Sequence, residues 1–138
     1  VNDQTFISLT GALLNAQGGQ TQMANCTMHL FKSGFNPNPA NVLADFAAQE
    51  CDFDGYSAAA IATWAAPVLA GQGYAIYAPT QTFRWTFSSA GTGNTVGGYY
   101  LVTSGGVLKE YCVFGSPIPM ASAGQAVIKT PIEVYPAG

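Results

Sequence analysis

Charge is what this sequence has least of. Asp, Glu, Lys and Arg together make up 8% of its 138 residues, against roughly 25% in an average soluble domain. Four residues are basic, Lys32, Arg84, Lys109 and Lys129, and they are scattered. A nucleic-acid surface needs clustered cations to neutralise phosphates, so no nucleic-acid partner is expected. Long apolar runs are lacking too. The most apolar stretch, Ala58 to Ala70, is broken by Thr63 and Pro67, and a spanning helix needs about 20 apolar residues in a row. Repeated alternating segments with aromatic girdles, the mark of a membrane barrel, are not evident either. No membrane partner is therefore expected.

Chemistry-bearing residues are sparse. There is one histidine, His29, between Met28 and Leu30 in an apolar run. A general base there would need a nucleophile and an orienting carboxylate, and the nearby Ser33 has no nucleophile-elbow context. The cysteines, Cys26, Cys51 and Cys112, are odd in number and form no CxxC. One disulfide with one free thiol is open to them; three reduced, buried thiols acting as small hydrophobes are the stronger expectation. With His29 they lack the paired spacing of a zinc site. Gly91-Thr92-Gly93 and Gly97-Gly98 lack the strand–loop–helix setting and the Lys of a phosphate loop. No cofactor is expected. The residues from Val1 on do not read as a cleavable secretory leader.

What is present is apolar and small: hydrophobic residues reach 49%, with sixteen glycines. So apolar a chain with so little charge is best explained by a soluble domain whose surface is covered by neighbouring subunits. The length suits a single β domain over 1–138. Strands are expected at Met23–Lys32, Tyr74–Tyr77, Gln81–Ser88, Val96–Thr103, Val107–Phe114 and Ala126–Tyr135. Ile61–Leu69 fits strand or helix by composition, and Trp64 followed by Pro67 favours an extended, edge-like strand. Gln81–Ser88 is the cleanest, with Phe83, Trp85 and Phe87 on one face and Thr82, Arg84 and Thr86 on the other. Gly115–Pro119 reads as a connection. Asn38-Pro39 suits a helix start, and Val42, Leu43 and Phe46 follow at helical spacing, so a helix is expected over Pro39–Gln49. Phe6, Leu9, Leu13 and Leu14 suggest a second short helix or an arm within residues 1–19. The fold class is mainly β, a compact antiparallel β-sandwich or partly open barrel with one or two short helices.

Four carboxylates, Asp45, Glu50, Asp52 and Asp54, fall within ten positions. Hard oxygen ligands at this density suit calcium, but the twelve-residue loop with its closing Glu is missing, and a solvated helix end is the better reading. Nothing selects from them a carboxylate pair for glycoside hydrolysis. Asn25-Cys26-Thr27 matches a glycosylation sequon. Trp64 and Trp85 fit a sugar-stacking platform less well than they fit a core.

Several segments read together carry a resemblance. They are His29-Leu-Phe-Lys-Ser-Gly-Phe35, with Asn38-Pro39 and Ala44-Asp45-Phe46 beyond, then Asp52-Phe-Asp-Gly-Tyr56, Gly97-Gly-Tyr-Tyr-Leu101 and Pro117-Ile-Pro-Met-Ala121. The set resembles small proteins encoded among the structural genes of tailed bacteriophages and in environmental viral sequence, and it covers most of the chain from Met28 on. The chain departs from that pattern in its three cysteines and its Ala-rich 57–66 segment. The resemblance implies a non-catalytic virion component: a capsid decoration (cement) subunit or a small tail-associated protein. Its implied partners are the major capsid protein, other virion subunits and further copies of itself in a homo-oligomer. It transfers no catalytic residue. Phe35, Pro37 and Pro39 in the first loop, and Phe6 and Leu9 in the N-terminal segment, are the expected assembly contacts. A subunit of an extracellular, cell-surface filament, built by head-to-tail or strand-augmentation contacts, is the alternative. A carbohydrate-binding module stands third and a hydrolase last.

Overall fold

A computed structural model describes residues 23–69, 74–80, 82–88, 93–129, 131 and 133–136. Among them the chain is mainly β, with antiparallel sheets, one short helix and no closed barrel, an arrangement of the β-sandwich-like kind. The expected contacts Phe6 and Leu9, and the arm or helix at 1–19, lie outside the described residues. By internal contacts the chain divides into two compact units, one of 1–25, 61–82 and 130–138, the other of 26–60 and 83–129.

The larger unit, 26–60 with 83–129, is built on a sheet. Its central strands are β1 (Cys26–Lys32) and β6 (Asn94–Val102), flanked by β2 (Ala59–Ile61) at one edge and β7 (Leu108–Met120) at the other. Both faces of β1 are covered, which is why its sequence alternates imperfectly. Cys26, Met28 and Leu30 form one face, each fully buried. Thr27, His29 and Phe31 form the other, and register places Tyr100 opposite His29 and Val102 opposite Thr27. Phe31, Tyr100 and Val102 meet Phe46 of the helix α1 (Leu43–Ala47), with Phe35, Leu43, Leu108 and Tyr111 around them.

That helix is five residues long, shorter than the expected Pro39–Gln49. Asn38 is not its cap. Its side-chain oxygen accepts from Ala40 N–H at 2.9 Å, while its own N–H donates to Asn41 Oδ1 at 2.7 Å. Pro39 is thus spent in a turn held by Asn side chains, a use that competes with helix. The helix starts instead where the Asp45 carboxylate reaches back to accept from Val42 N–H at 2.9 Å.

The β6–β7 pair leaves a tight turn in which Gly106 takes a positive φ, as the Ser104-Gly105-Gly106 run predicts. Strand β7 then continues far past Phe114 through the stretch expected as a connection. Pro117 and Pro119 lie within it, and it remains a strand because it is an edge, where a missing N–H costs no ladder bond if it faces outward. Its pairing with β6 is interrupted twice. Val102 pairs with Leu108 and Leu101 with Glu110; farther on, Gly98 pairs with Val113 but Val96 with Ile118. The second irregularity sets Phe114 to Pro117 against Gly97 alone. Gly97 and Gly98 allow the backbones to close here: a Cβ on Gly98 would lie 2.1 Å from Cys112 O and 2.4 Å from the Phe31 ring.

The same unit holds a second antiparallel pair, β5 (Phe83–Thr86) with β8 (Ala126–Lys129). Phe83, Trp85 and Phe87 are buried while Thr82 and Arg84 are exposed, the division that the alternation predicts. Phe87 packs against Phe53, whose ring neighbours Tyr56. Gly55 turns this loop at φ 91°, and a Cβ there would meet Thr86 O at 2.5 Å.

In the other unit, β3 (Val68–Leu69), β4 (Tyr74–Tyr77) and β9 (Glu133–Pro136) form a three-stranded antiparallel sheet. Ile61–Leu69 is not the one strand expected. It passes through an isolated bridge between Trp64 and Pro79 before reaching β3. The closing strand expected at Ala126–Tyr135 is likewise split into β8 and β9, with Pro131 between them. A proline that can neither donate nor leave φ near −65° ends the first ladder.

Candidate functional site

Two features of the larger unit hold the residues most able to act: a polar network on β1 and the edge strand β7.

The network is assembled by the chain segment after the helix. Cys51 N–H donates to Leu30 O at 2.9 Å and Lys32 N–H to Gln49 O at 2.9 Å, and Glu50 bridges with Phe31. That bridge sets the Glu50 side chain on the Phe31 face, diagonal to His29. His29 Nδ1 lies 2.7 Å from Glu50 Oε1, and His29 Nε2 lies 2.9 Å from Thr27 Oγ1. Tyr56 donates its hydroxyl to the same Glu50 oxygen at 2.6 Å and accepts from Leu30 N–H at 3.1 Å. The Tyr100 ring stacks on the imidazole, centroids 4.8 Å apart. Burial, and next the hydrogen bond to Glu50, pushes the Tyr56 hydroxyl above its ordinary value. Burial followed by the Glu50 charge does the same for Tyr100.

Hydroxyl, imidazole and carboxylate therefore stand in the order of a nucleophile relay, although Ser33, the serine nearest His29 in sequence, is not its member. Thr27 sits inside a paired strand opposite Val102, however, rather than on a turn that bares a nucleophile beside unpaired N–H groups. The contacts that His29 and Leu30 make with Glu50 and Tyr56 also tie β1 to the Glu50–Tyr56 segment. Sequence reading found the histidine but not its partners, because the contact with Glu50 is made only through the bridge at Phe31.

The acidic cluster is dispersed by its own partners. Asp45 caps the helix, and the Val42 N–H, then the Asn41 amide, hold its carboxyl below the ordinary value. Glu50 belongs to the network. Asp52 pairs with Lys32 at 3.1 Å, and a hydrogen bond with Asn94, then one with Lys32, lower its carboxyl. Among the described residues no three His, Cys, Asp or Glu side chains converge as a metal set would.

None of the three cysteines is in a disulfide. Cys26 and Cys51 are buried as expected, and burial pushes the Cys51 thiol up to about 12. Cys112 differs from expectation: it is exposed, because β7 is an edge strand. Trp64 and Trp85 are both buried and spend their indole N–H groups on Met23 O and Ser57 O, each at 2.8 Å. Neither offers a ring face for sugar stacking.

Of the expected contacts in the first loop, Phe35 is half-buried and meets the Phe31 and Phe46 rings edge-on at 5.7 and 5.0 Å. Pro37 is half-buried and Pro39 exposed. The surface that sequence reading passed over is β7. Most of its thirteen residues are exposed or half-buried, Val113 is 52% exposed, and Val107 just before it is 61% exposed. Among the described residues nothing pairs with its outer side. No helix among the described residues is long and apolar enough to cross a membrane. No family model, curated protein or solved structure matches the chain.

Proposed function

We propose that this chain is a non-catalytic assembly module, a capsid decoration (cement) subunit that stabilises a virion shell through protein–protein contacts. The observation that carries the reading is the weakly charged edge of β7, whose outer side pairs with no other strand among the described residues. Soluble proteins normally blunt such an edge with charge, cover or shortness. Here Lys109 and Glu110 are its charged residues, and the strand is long. An exposed edge offers main-chain hydrogen bonds to a partner strand, and the low overall charge suits a subunit buried among neighbours. The resemblance to phage structural proteins supplies the shell as the partner.

The test is co-sedimentation of the purified chain with empty shells of the encoding phage, prepared without it. Saturable binding at a fixed ratio to the major capsid protein, with shells that resist heating better, is the expected result. Failure to sediment with shells, together with open fibres in negative stain, would replace the cement reading with that of a filament subunit.

A further inference from the structure

We infer that the Glu110–Val113 run of β7 is a self-docking edge, on which a second copy of this chain lays the same run antiparallel. This rests on the reading of β7 as a contact edge and names its first partner.

The geometry narrows both place and register. Regular pairing of β7 with β6 between its two irregularities is confined to Glu110, Tyr111, Cys112 and Val113. Bulges distort the ladder and twist the strand, so this run is the flat part of the edge nearest the turn. Pro117 and Pro119 spoil the remainder as a donor of hydrogen bonds. A partner strand of different sequence is not required, since the run can pair with itself about a twofold axis normal to the sheet.

Such an axis keeps each side chain on its own face, so it passes through a residue position. Centred on Glu110, it sets two carboxylates opposite each other, which is destabilising. Centred on Tyr111, it sets the Glu110 carboxylate against a thiol, and centred on Val113 it runs at once into the irregularity at Phe114. Centred on Cys112, it sets Tyr111 against Val113 of the second copy twice over, an aromatic and β-branched pair of the kind that stabilises sheets. No like charges then face each other within the run. The two Cys112 residues come directly opposite. Opposed residues in an antiparallel pair have Cα atoms roughly 4.5–5.5 Å apart, inside the disulfide range of about 4.4–6.8 Å. Cys112 is the exposed thiol, while Cys26 and Cys51 are buried at 0% and 3%. The dimer is a non-covalent strand pair, and the cysteine is its reporter.

The experiment uses the full chain without shells. Diamide, a two-electron thiol oxidant, takes two electrons and two protons from a thiol pair and becomes a hydrazine as the S–S bond forms. Brief treatment at neutral pH is expected to give a covalent dimer on non-reducing gels, and Cys112→Ser is expected to abolish it. Val113→Lys places a charge next to the twofold, in the pair with Tyr111 of the second copy, the device by which natural edges avoid association. It is expected to cut the initial rate of dimer formation at least tenfold while the reactivity of Cys112 toward a small thiol reagent stays unchanged. Val113→Thr is expected to keep the wild-type rate. Equal rates in wild type and Val113→Lys would mean random collision and overturn the inference, as would a dimer that survives Cys112→Ser. Shell co-sedimentation separates the two readings. Binding to shells with no edge-dependent dimer overturns self-docking alone; a dimer without shell binding supports it and removes only the cement reading.

Discussion

Phe46 is the buried residue of a helix too short to be stable on its own, since isolated helices below about 12–15 residues are marginal. The helix is therefore held chiefly by one ring, with the half-buried Leu43 beside it. That ring lies 5.9 Å from Phe31, 5.0 Å from Phe35, 5.2 Å from Tyr100 and 5.3 Å from Tyr111. Truncating a buried Phe to Ala costs about 3–5 kcal/mol through lost transfer energy and the cavity left behind. Phe46→Ala belongs near the middle, about 4 kcal/mol, because the half-buried Phe35 and Tyr111 can fold partly into the space. At a urea slope of roughly 2 kcal/mol/M, the unfolding midpoint should fall by about 2 M. Far-UV circular dichroism in urea reads the midpoint, and near-UV dichroism reads the loss of the aromatic cluster. Phe46→Leu, which keeps most of the volume, should recover more than half of the loss. A midpoint shift below about 0.5 M for Phe46→Ala, equivalent to roughly 1 kcal/mol at that slope, would refute the claim that this ring anchors the 33–50 segment.

Three further outcomes follow from the network, the glycines and the buried hydroxyls. Tyr56→Phe leaves the N–H of fully buried Leu30 without its hydroxyl acceptor and removes a donor from Glu50; it should cost about 1–3 kcal/mol in urea unfolding. Gly98→Ala drives a methyl into Cys112 O and the Phe31 ring, and should lower stability by about 3 kcal/mol, the upper end of overpacking losses; a neutral effect would mean that β6 and β7 separate freely there. In the third, Cys51, Tyr56 and Tyr100 are neutral in the fold with raised values, so the unfolded chain ionises first. Their stabilisation is whole below the unfolded values of 9.0 and 10.0 and is lost as pH rises beyond them. Tm should fall steadily from about pH 9 upward, and Tyr56→Phe with Cys51→Ala should flatten the slope; an unchanged slope would show that other groups set it.

Local pattern carried as much as it could. Phe83, Trp85 and Phe87 could be put on one face because period-two alternation is a property of neighbouring residues. The Ser104–Gly106 turn was legible because its glycine chemistry is equally local. The helix was misjudged at its start because Asn38 can cap a helix or close a turn with the same oxygen, and only the position of Asn41 and Asp45 decides between them. The Gly115–Pro119 stretch looked like a connection because proline ends an internal strand, whereas at an edge it is tolerated. Which strand would be the edge depends on β1, β6 and β7 meeting, and that is not written in any one segment. The same holds for His29, whose partner Glu50 arrives across the bridge at Phe31. Low charge points toward contact surfaces as a class, but the length of the β7 edge is visible only once the strands are assembled.

The pairing of β1 with β6 also bears on synthesis. Thr27 finds its partner only in Val102, so β1 leaves the ribosome long before the strand that covers it. At about 5–20 residues per second, that wait is on the order of ten seconds. Throughout it Met28, Leu30 and Phe31, all fully buried in the finished protein, have beside them only the short β2 and the Glu50 bridge. The β6–β7 hairpin is local and can close in about 1–10 µs once made, and β1 must then be captured by a ready template. Nascent chains stalled before β6 emerges are accordingly the form of this protein most in need of a chaperone.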